Sequence, residues 1–456
     1  MYSNGGRWKC WLIDIARTWG PELLILALGL WLRYRYAVHA NMVEDEYFEA
    51  LALTGIVRHG IPLLESGALH PRGWTFLYGA VPIVLALGPT KLAMRLVNVM
   101  FDAVLMALVV HIGRREGDRP VGLGGGLVVA LLPTLIENTP RVRFYGPFVL
   151  FSLLAVWAAL RACRRPAHTG PHVAFAAAFG LAIMAHEEAL LLYPPLLGLV
   201  TLWGGRAYWR RRGTWGAHLA IAVVIVVRAG LEVLANWQAP AFLGVQGKAK
   251  PYLEPFVEVA EKWQVYWSIY AQQAYWPVMA AFVMALLLVV LSGWRRPGPA
   301  RTWPLQSLTF FSVPFVWSLI VLVFLAGSTW RESRYMLFVE PMGALASAAG
   351  LWWMLEPAAR FRFRRGLYVA WIVGAGAMLW PKAWDASSAR NADYVSPFAH
   401  VAAERRPGDV VVTPLIQVCA FLLPGGCDYY AREDGYGPTL LTGTACWWTV
   451  GPGARC

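Results

Sequence analysis

Charge is scarce in this sequence. Asp, Glu, Lys and Arg make up 15% of the 456 residues, and the 27 acids are outnumbered by 40 bases. Soluble globular chains carry about a quarter charged residues. With 58% hydrophobic residues and a mean hydropathy of +0.47, this chain lies outside that class. The start also lacks a short apolar core followed by a small-residue cleavage site, so MYSNGGRWKCWLIDIARTWG reads as a retained cytoplasmic segment and not as a signal peptide. No Gly-rich loop follows a strand pattern. GLGGG at 122–126 opens an apolar run, which suits helix packing and not a nucleotide cradle. The net charge of +13 is divided into short Lys/Arg clusters between apolar runs, the pattern that encodes membrane topology, and this excludes a nucleic-acid partner.

What is present is a series of apolar runs of about 18–25 residues, each long enough to cross a hydrocarbon core of about 30 Å as a helix. The fold class is therefore an all-α polytopic membrane protein. With the N-terminus inside, the first span runs from about Pro21 to Val38 and delivers the acidic stretch NMVEDEYFEAL to the outer side. The basic patches at Arg114/Arg115/Arg119, Arg161/Arg164/Arg165, Arg206 with Arg210–Arg212, Arg295/Arg296/Arg301 and Arg360–Arg365 are then all cytoplasmic. This requires Trp74–Leu87, broken by Pro82, to lie along the outer interface and not to cross. Further spans fall near 90–112, 121–138, 147–163, 172–190, 190–206, 217–236, 277–293, 305–326, 335–356 and 366–381, about eleven in all.

An odd number of crossings leaves the tail outside. The chain divides into a transmembrane domain, 1–381, whose first outer loop spans about 39–89, and a small extracytoplasmic domain, 382–456. Cysteine usage agrees, because Cys419, Cys427, Cys446 and Cys456, four of the six, lie in that tail. Cys419 and Cys427 flank the turn LLPGG and form the expected disulfide, with Cys446 and Cys456 as a second candidate pair. FAHVAAERRPGDVVVTP reads as helix, Pro-Gly turn and buried strand, hence an α/β appendage. Beyond Thr442 the pattern is irregular, as in a frame that ends short of a complete domain. The compact loops and tail place the chain in a bacterial or archaeal plasma (inner) membrane, multi-pass, with the lipid bilayer as its first partner.

On this topology the outer side collects Arg33, Arg35, Glu44, Asp45, Glu46, His70 and Arg72 from the first loop, and Glu137, Arg141, Arg143 and Tyr145 from ENTPRVRFYG. It also collects His186, Glu187 and Glu188 from AHEEA, Lys248 and Lys250 from the aromatic-rich 237–276 segment, and Arg331, Glu332, Arg334 and Tyr335 from STWRESRYMLFVEP. Acids and bases near membrane depth are costly, so their convergence points to a shared water-filled pocket. There one carboxylate can take a proton from a hydroxyl while guanidiniums neutralise phosphate. Each feature also has a plainer reading. The acids suit a helix N-terminus, Arg141 or Arg143 can simply pair with Glu137, and His186 is an ordinary end-of-helix residue. His186 with Glu187 and Glu188 does not define a metal site. No cofactor is required, and a divalent cation is the one candidate.

VEDEYFEALALTGIVRHG, HPRGWTFLYGAVPIVLALGPTKLAMRL, RVRFYGPFVLFSLLA and WRESRYMLFVEP, in that order over roughly the first 345 residues, resemble the GT-C glycosyltransferases, in the dolichyl-phosphate-mannose protein mannosyltransferase and aminoarabinose transferase-like branch. The resemblance implies transfer of a sugar from a polyprenyl-phosphate donor to an acceptor hydroxyl on a protein, lipid or glycan, at the outer side and with inversion. It implies Asp45 as the catalytic carboxylate with Glu46 as its neighbour. It also implies that Arg331, Arg334 and Tyr335, with Arg143 and Arg141, bind the donor phosphate. His70, Arg72, Tyr145, His186, Glu187, Lys248 and Lys250 are candidate substrate contacts. Arg72 departs from the His-Pro-Pro segment of many relatives. The rival readings are a lipid-linked sugar flippase or transporter, against which no internal repeat is found, and an inactive family member.

Overall fold

The computed structural model describes residues 5–64, 67–238, 254–272, 275–294, 299–327, 332–356 and 363–406, and short pieces of the tail between 409 and 449. It is a bundle of helices. In chain order these begin with α1 Gly5–His39, α2 Glu44–His59, α3 Trp74–Leu87, α4 Lys91–Glu116, α5 Arg119–Leu131, α6 Pro133–Asn138, α7 Tyr145–Arg164 and α8 Thr169–Ala185. A 3-10 turn, Glu187–Leu192, leads into α9 Tyr193–Trp209, followed by α10 Arg212–Gln238, α11 Val259–Gln272, α12 Trp276–Trp294 and α13 Pro299–Ile320. After a second 3-10 turn, Ser333–Met336, come α14 Glu340–Met354, α15 Phe363–Ser387, α16 Val395–Glu404 and α17 Ile416–Leu422. Among the described residues five helical stretches are long and apolar enough to cross a membrane: Lys91–Glu116, Tyr145–Arg164, Glu187–Trp209, Arg212–Ala235 and Pro304–Leu325. The apolar helices α3, α5 and α8 are shorter.

Ion pairs sort the helix ends. At one end of the bundle Glu22 of α1 meets Arg114 of α4 at 3.1 Å and Arg119 of α5 at 2.9 Å. Arg164 of α7 joins Glu116 of α4 and Ser307 of α13. At the opposite end Lys91, at the start of α4, donates to the carbonyls of Val38 and Ala40 where α1 finishes. Both ends of α3 belong to this second end. Its first residues are tied to the end of α8, through Gly73 N–H to the Ala185 carbonyl at 3.2 Å and Thr75 Oγ1 to the Leu181 carbonyl at 2.7 Å. Its last residue precedes the Thr90 cap of α4. A helix with both ends at one level lies across the bundle. Pro82 does not break it, contrary to the sequence expectation, and α3 is continuous from Trp74 to Leu87.

Arg33 also departs from expectation. It reads as an outer-loop residue, but α1 continues to His39 and buries it completely. The reason lies in α5, which stops at Leu131 because Pro133 offers no N–H and begins α6 instead. The carbonyls thus orphaned accept from Arg33: Val129 at 3.0 Å and Ala130 at 3.1 Å. The guanidinium charge is met by Asp102 of α4 at 3.1 Å, whose Oδ2 also accepts from Thr139. Glycine makes the α4–α5 contact possible. A Cβ on Gly122 would sit 2.6 Å from the Val110 carbonyl, and one on Gly113 would sit 2.6 Å from the Gly122 Cα.

In the tail α17 packs on α2. Val412–Thr413 pairs in parallel with Tyr429–Tyr430, and Cys446–Thr449, expected to be irregular, pairs antiparallel with Thr439–Thr442. Cys419 is buried and disulfide-bonded, while Cys427 lies outside the described residues.

Candidate active site

The site begins with the way α2 starts. Three acids fill its first turn, where the helix dipole favours negative charge, and the Glu46 carboxylate reaches back to accept the Val43 N–H at 2.8 Å. The helix stops at Gly60, whose φ of +78° is the left-handed cap conformation, just after Arg58 and His59. Successive helical side chains diverge by about 100°, so Glu44, Asp45 and Glu46 meet three different environments.

Glu44 turns toward the tail and accepts from Gln417 of α17, while the next residue but two, Tyr47, packs edge-on against Tyr394 and Phe421. Glu46 turns inward and is wholly buried. It accepts from Arg95 Nε at 3.0 Å, Arg95 Nη2 at 2.7 Å and the Val142 N–H at 2.6 Å. Arg95 in turn donates to the carbonyls of Ala37, Ala40 and Asn41 at the end of α1. Glu46 therefore knits α1, α2, α4 and the 139–144 loop together, and it is not open to a substrate as the sequence reading of a catalytic neighbour requires.

Asp45 alone faces outward between cations. Its Oδ2 is 3.0 Å from Arg334 Nη1 and 3.2 Å from Arg143 Nη1, and Arg143 Nη1 also donates to the Asp45 carbonyl. Arg143 is held by the loop that Glu46 grips at Val142, with Asn98 Nδ2 donating to the Arg143 carbonyl at 2.7 Å. Arg334 is presented by the 3-10 turn ahead of α14, with Glu332 on its other edge at 2.8 Å and the Tyr335 ring 5.7 Å from its Cζ. Burial pushes the Asp45 carboxyl up, but the Arg143 and Arg334 guanidiniums outweigh it and hold the group below its ordinary value. It is an ionised carboxylate at neutral pH. A divalent cation does not fit here, because the neighbours of Asp45 are two guanidiniums. Among the described residues no group of three His, Cys, Asp or Glu side chains is arranged to hold a metal.

The other expected residues fall into separate groups. Arg141 is bonded to Tyr36 at 3.0 Å and to Glu137 at 3.1 Å, and its charge adds a smaller contribution at Asp45. Tyr145 is buried, its ring 5.7 Å from the Arg143 guanidinium. His70 lies 3.3 Å from Glu49, one turn along α2 from Asp45. Arg72 joins a network with Glu187 (3.1 Å) and Glu232 (3.6 Å), both shared with Arg228 of α10. His186 stacks on Phe144 at 4.4 Å, beside Arg143. Arg331, Lys248 and Lys250 lie outside the described residues. Sequence reasoning missed Arg95, Asn98 and Arg228. The signal was there for Arg95 and Asp102, since charges within the apolar helix KLAMRLVNVMFDAVLMALVV are too costly to lack partners.

Comparison with known proteins bears on this geometry. Residues 80–229 match the family described as dolichyl-phosphate-mannose-protein mannosyltransferase. The structure is similar to that of ArnT from Cupriavidus metallidurans bound to undecaprenyl phosphate, with a TM-score of 0.61 at 16% identity over 91% of this chain and 86% of that one. The likeness shows a shared fold. The structure is also similar to that of the oligosaccharyltransferase AglB of Archaeoglobus fulgidus, in complex with an inhibitory peptide and a dolichol-phosphate, with a TM-score of 0.54 at 10% identity. That alignment covers 88% of this chain and 62% of AglB. No curated protein sequence matches the chain. The shared fold is mostly helical, and both neighbours were solved with a lipid phosphate.

Proposed function

We propose that this chain is a membrane glycosyltransferase that moves a sugar from a polyprenyl-phosphate donor to an acceptor hydroxyl, with inversion, at the end of the bundle that carries Asp45. The observation that carries the reading is the Asp45 carboxylate shared between Arg143 and Arg334. The lipid-phosphate neighbours of the same fold support it. An isolated surface acid needs no such pair of guanidiniums brought in from two distant parts of the chain.

The chemistry follows from the charges. Donor phosphate oxygens are drawn to Arg143 and Arg334, whose fork geometry suits phosphate. Their arrival neutralises the cations that depress Asp45, so its basicity rises when the donor is in place. Asp45 then takes the acceptor hydroxyl proton as the acceptor oxygen bonds to the anomeric carbon. The bond from that carbon to the phosphate oxygen breaks, and its electron pair leaves with polyprenyl phosphate, stabilised by the guanidiniums. Attack opposite the leaving group inverts the centre. Tyr335 and Tyr145 support the two guanidiniums. The proposed topology has about eleven crossings, with the N-terminus cytoplasmic in a plasma membrane and the tail outside as a small α/β domain, and the five long apolar helices support its membrane setting.

The test is release of polyprenyl phosphate by purified protein given sugar-linked carriers and acceptors. Wild type releases it and Asp45→Asn does not. Translocation of the intact carrier without release would replace this reading with the transporter.

A further inference from the structure

We propose that Arg35 and the three tryptophans around it hold the headgroup of one anionic phospholipid at the Asp45 end of the bundle. The patch is made by two helix faces. Trp31 and Arg35 stand one turn apart on α1, and Trp380 and Trp384 one turn apart on α15, so each pair shares a face. The four meet where α1 packs on α15. Trp31 stacks on Trp380 at 6.5 Å with the rings 11° apart, and it lies 5.5 Å from Trp384. The Arg35 guanidinium lies 3.4 Å from the centre of the Trp384 ring and 6.0 Å from that of Trp31.

The surroundings fix the level of the patch. Two turns before Trp31 and Trp380, on the same helix faces, Leu24 and Val373 are exposed, as are the three tryptophans themselves. Such a face suits lipid tails. Beyond the patch the two helices finish in polar contacts, with Asn391 donating to the Asn41 carbonyl at 2.7 Å and Asn41 to the Asn391 carbonyl at 3.2 Å. The tryptophans therefore stand where an apolar face gives way to a polar one, which is the level of lipid headgroups.

Arg35 differs from the buried arginines beside it. Arg33 meets Asp102 and Arg95 meets Glu46. Arg35 is half-buried, no carboxylate pairs with it among the described residues, and its Nη1 has no hydrogen-bond partner. The Trp384 face attracts the cation but supplies no strong acceptor for its N–H fork. Phosphate oxygens at headgroup level are such acceptors, in the geometry a guanidinium matches. The ring face that would draw a choline ammonium is already covered by Arg35, so the patch favours a headgroup of net negative charge.

The test is native mass spectrometry of the purified protein in detergent, titrated with phosphatidylglycerol or with phosphatidylcholine of the same acyl chains. Wild type should bind one phosphatidylglycerol about fivefold more tightly than phosphatidylcholine, as for one basic residue at an anionic surface. Arg35→Gln should bind the two lipids alike, and Arg35→Lys, which keeps the charge, should keep the preference. A wild type without preference, an Arg35→Gln variant that retains it, or an Arg35→Lys variant that loses it would overturn the proposal. Undecaprenyl phosphate should bind wild type and Arg35→Gln equally. A loss there would move Arg35 to the donor site and also overturn it. The lipid preference does not depend on the transferase reading, and failure of either leaves the other standing.

Discussion

Asp45→Asn separates the two roles assigned to this side chain, and its effects should run in opposite directions. In the empty site the carboxylate competes with phosphate for Arg143 and Arg334, at 3.2 and 3.0 Å. Its side chain is 43% exposed, so each contact is worth no more than an exposed ion pair, about 0.2–1 kcal/mol after solvent screening. Removing both frees the guanidiniums by about 0.5–2 kcal/mol, and undecaprenyl phosphate should bind the variant about 2- to 30-fold more tightly than wild type. Turnover should fall by about 10²–10⁴, the usual share of a general base. Equilibrium binding and single-turnover release of polyprenyl phosphate, measured on the same preparation, check both. Weaker phosphate binding would mean that Asp45 organises the guanidiniums instead of competing for them. Unchanged turnover would remove it from catalysis.

Glu46→Gln should act on stability instead, because it leaves Arg95 buried without its counter-charge. A loss of roughly 3–5 kcal/mol is expected, seen as a lowered apparent Tm in detergent, with no selective effect on phosphate binding. The pH profiles should also diverge. Asp45 is depressed in the free protein, so its ionised form, and the stability it contributes, is present above the ordinary carboxyl value and lost only as pH falls through the depressed one. The donor phosphate offsets the cations responsible, so the acid limb of kcat should lie at higher pH than that of kcat/KM. Coincident limbs would contradict the coupling. Gly122→Ala gains up to about 1 kcal/mol in helix propensity but drives a Cβ to 2.6 Å from the Val110 carbonyl. Overpacking against backbone costs about 1–3 kcal/mol, so the apparent Tm should fall, and a rise would show that α4 and α5 can separate freely.

The sequence made the bundle legible because lipid demands long apolar helices, and it made Asp45 legible because an acid just beyond a span has few uses there. Arg143 and Arg334 were readable as outer cations, but their meeting at one carboxylate was not, since it joins positions nearly 200 residues apart. Helix geometry hid the fate of Glu46: three consecutive acids look alike in a string, yet the turn of α2 sends one to the tail, one to the guanidiniums and one to Arg95. Arg33 was misplaced for a related reason. Arg33 and Arg35 look like the end of a span, whereas the broken α5–α6 junction needs Arg33 inside, and Arg35 lies against the Trp384 ring at 3.4 Å. Pairing in the interior depends on which helix breaks where, and that information sits in another helix.

A structure determined with undecaprenyl phosphate bound tests the central claim most directly. The account predicts the phosphate group in hydrogen-bond contact with both Arg143 and Arg334, with the Asp45 carboxylate facing the same cleft. A phosphate bound elsewhere, with the Asp45 contacts to both guanidiniums unchanged, would contradict it.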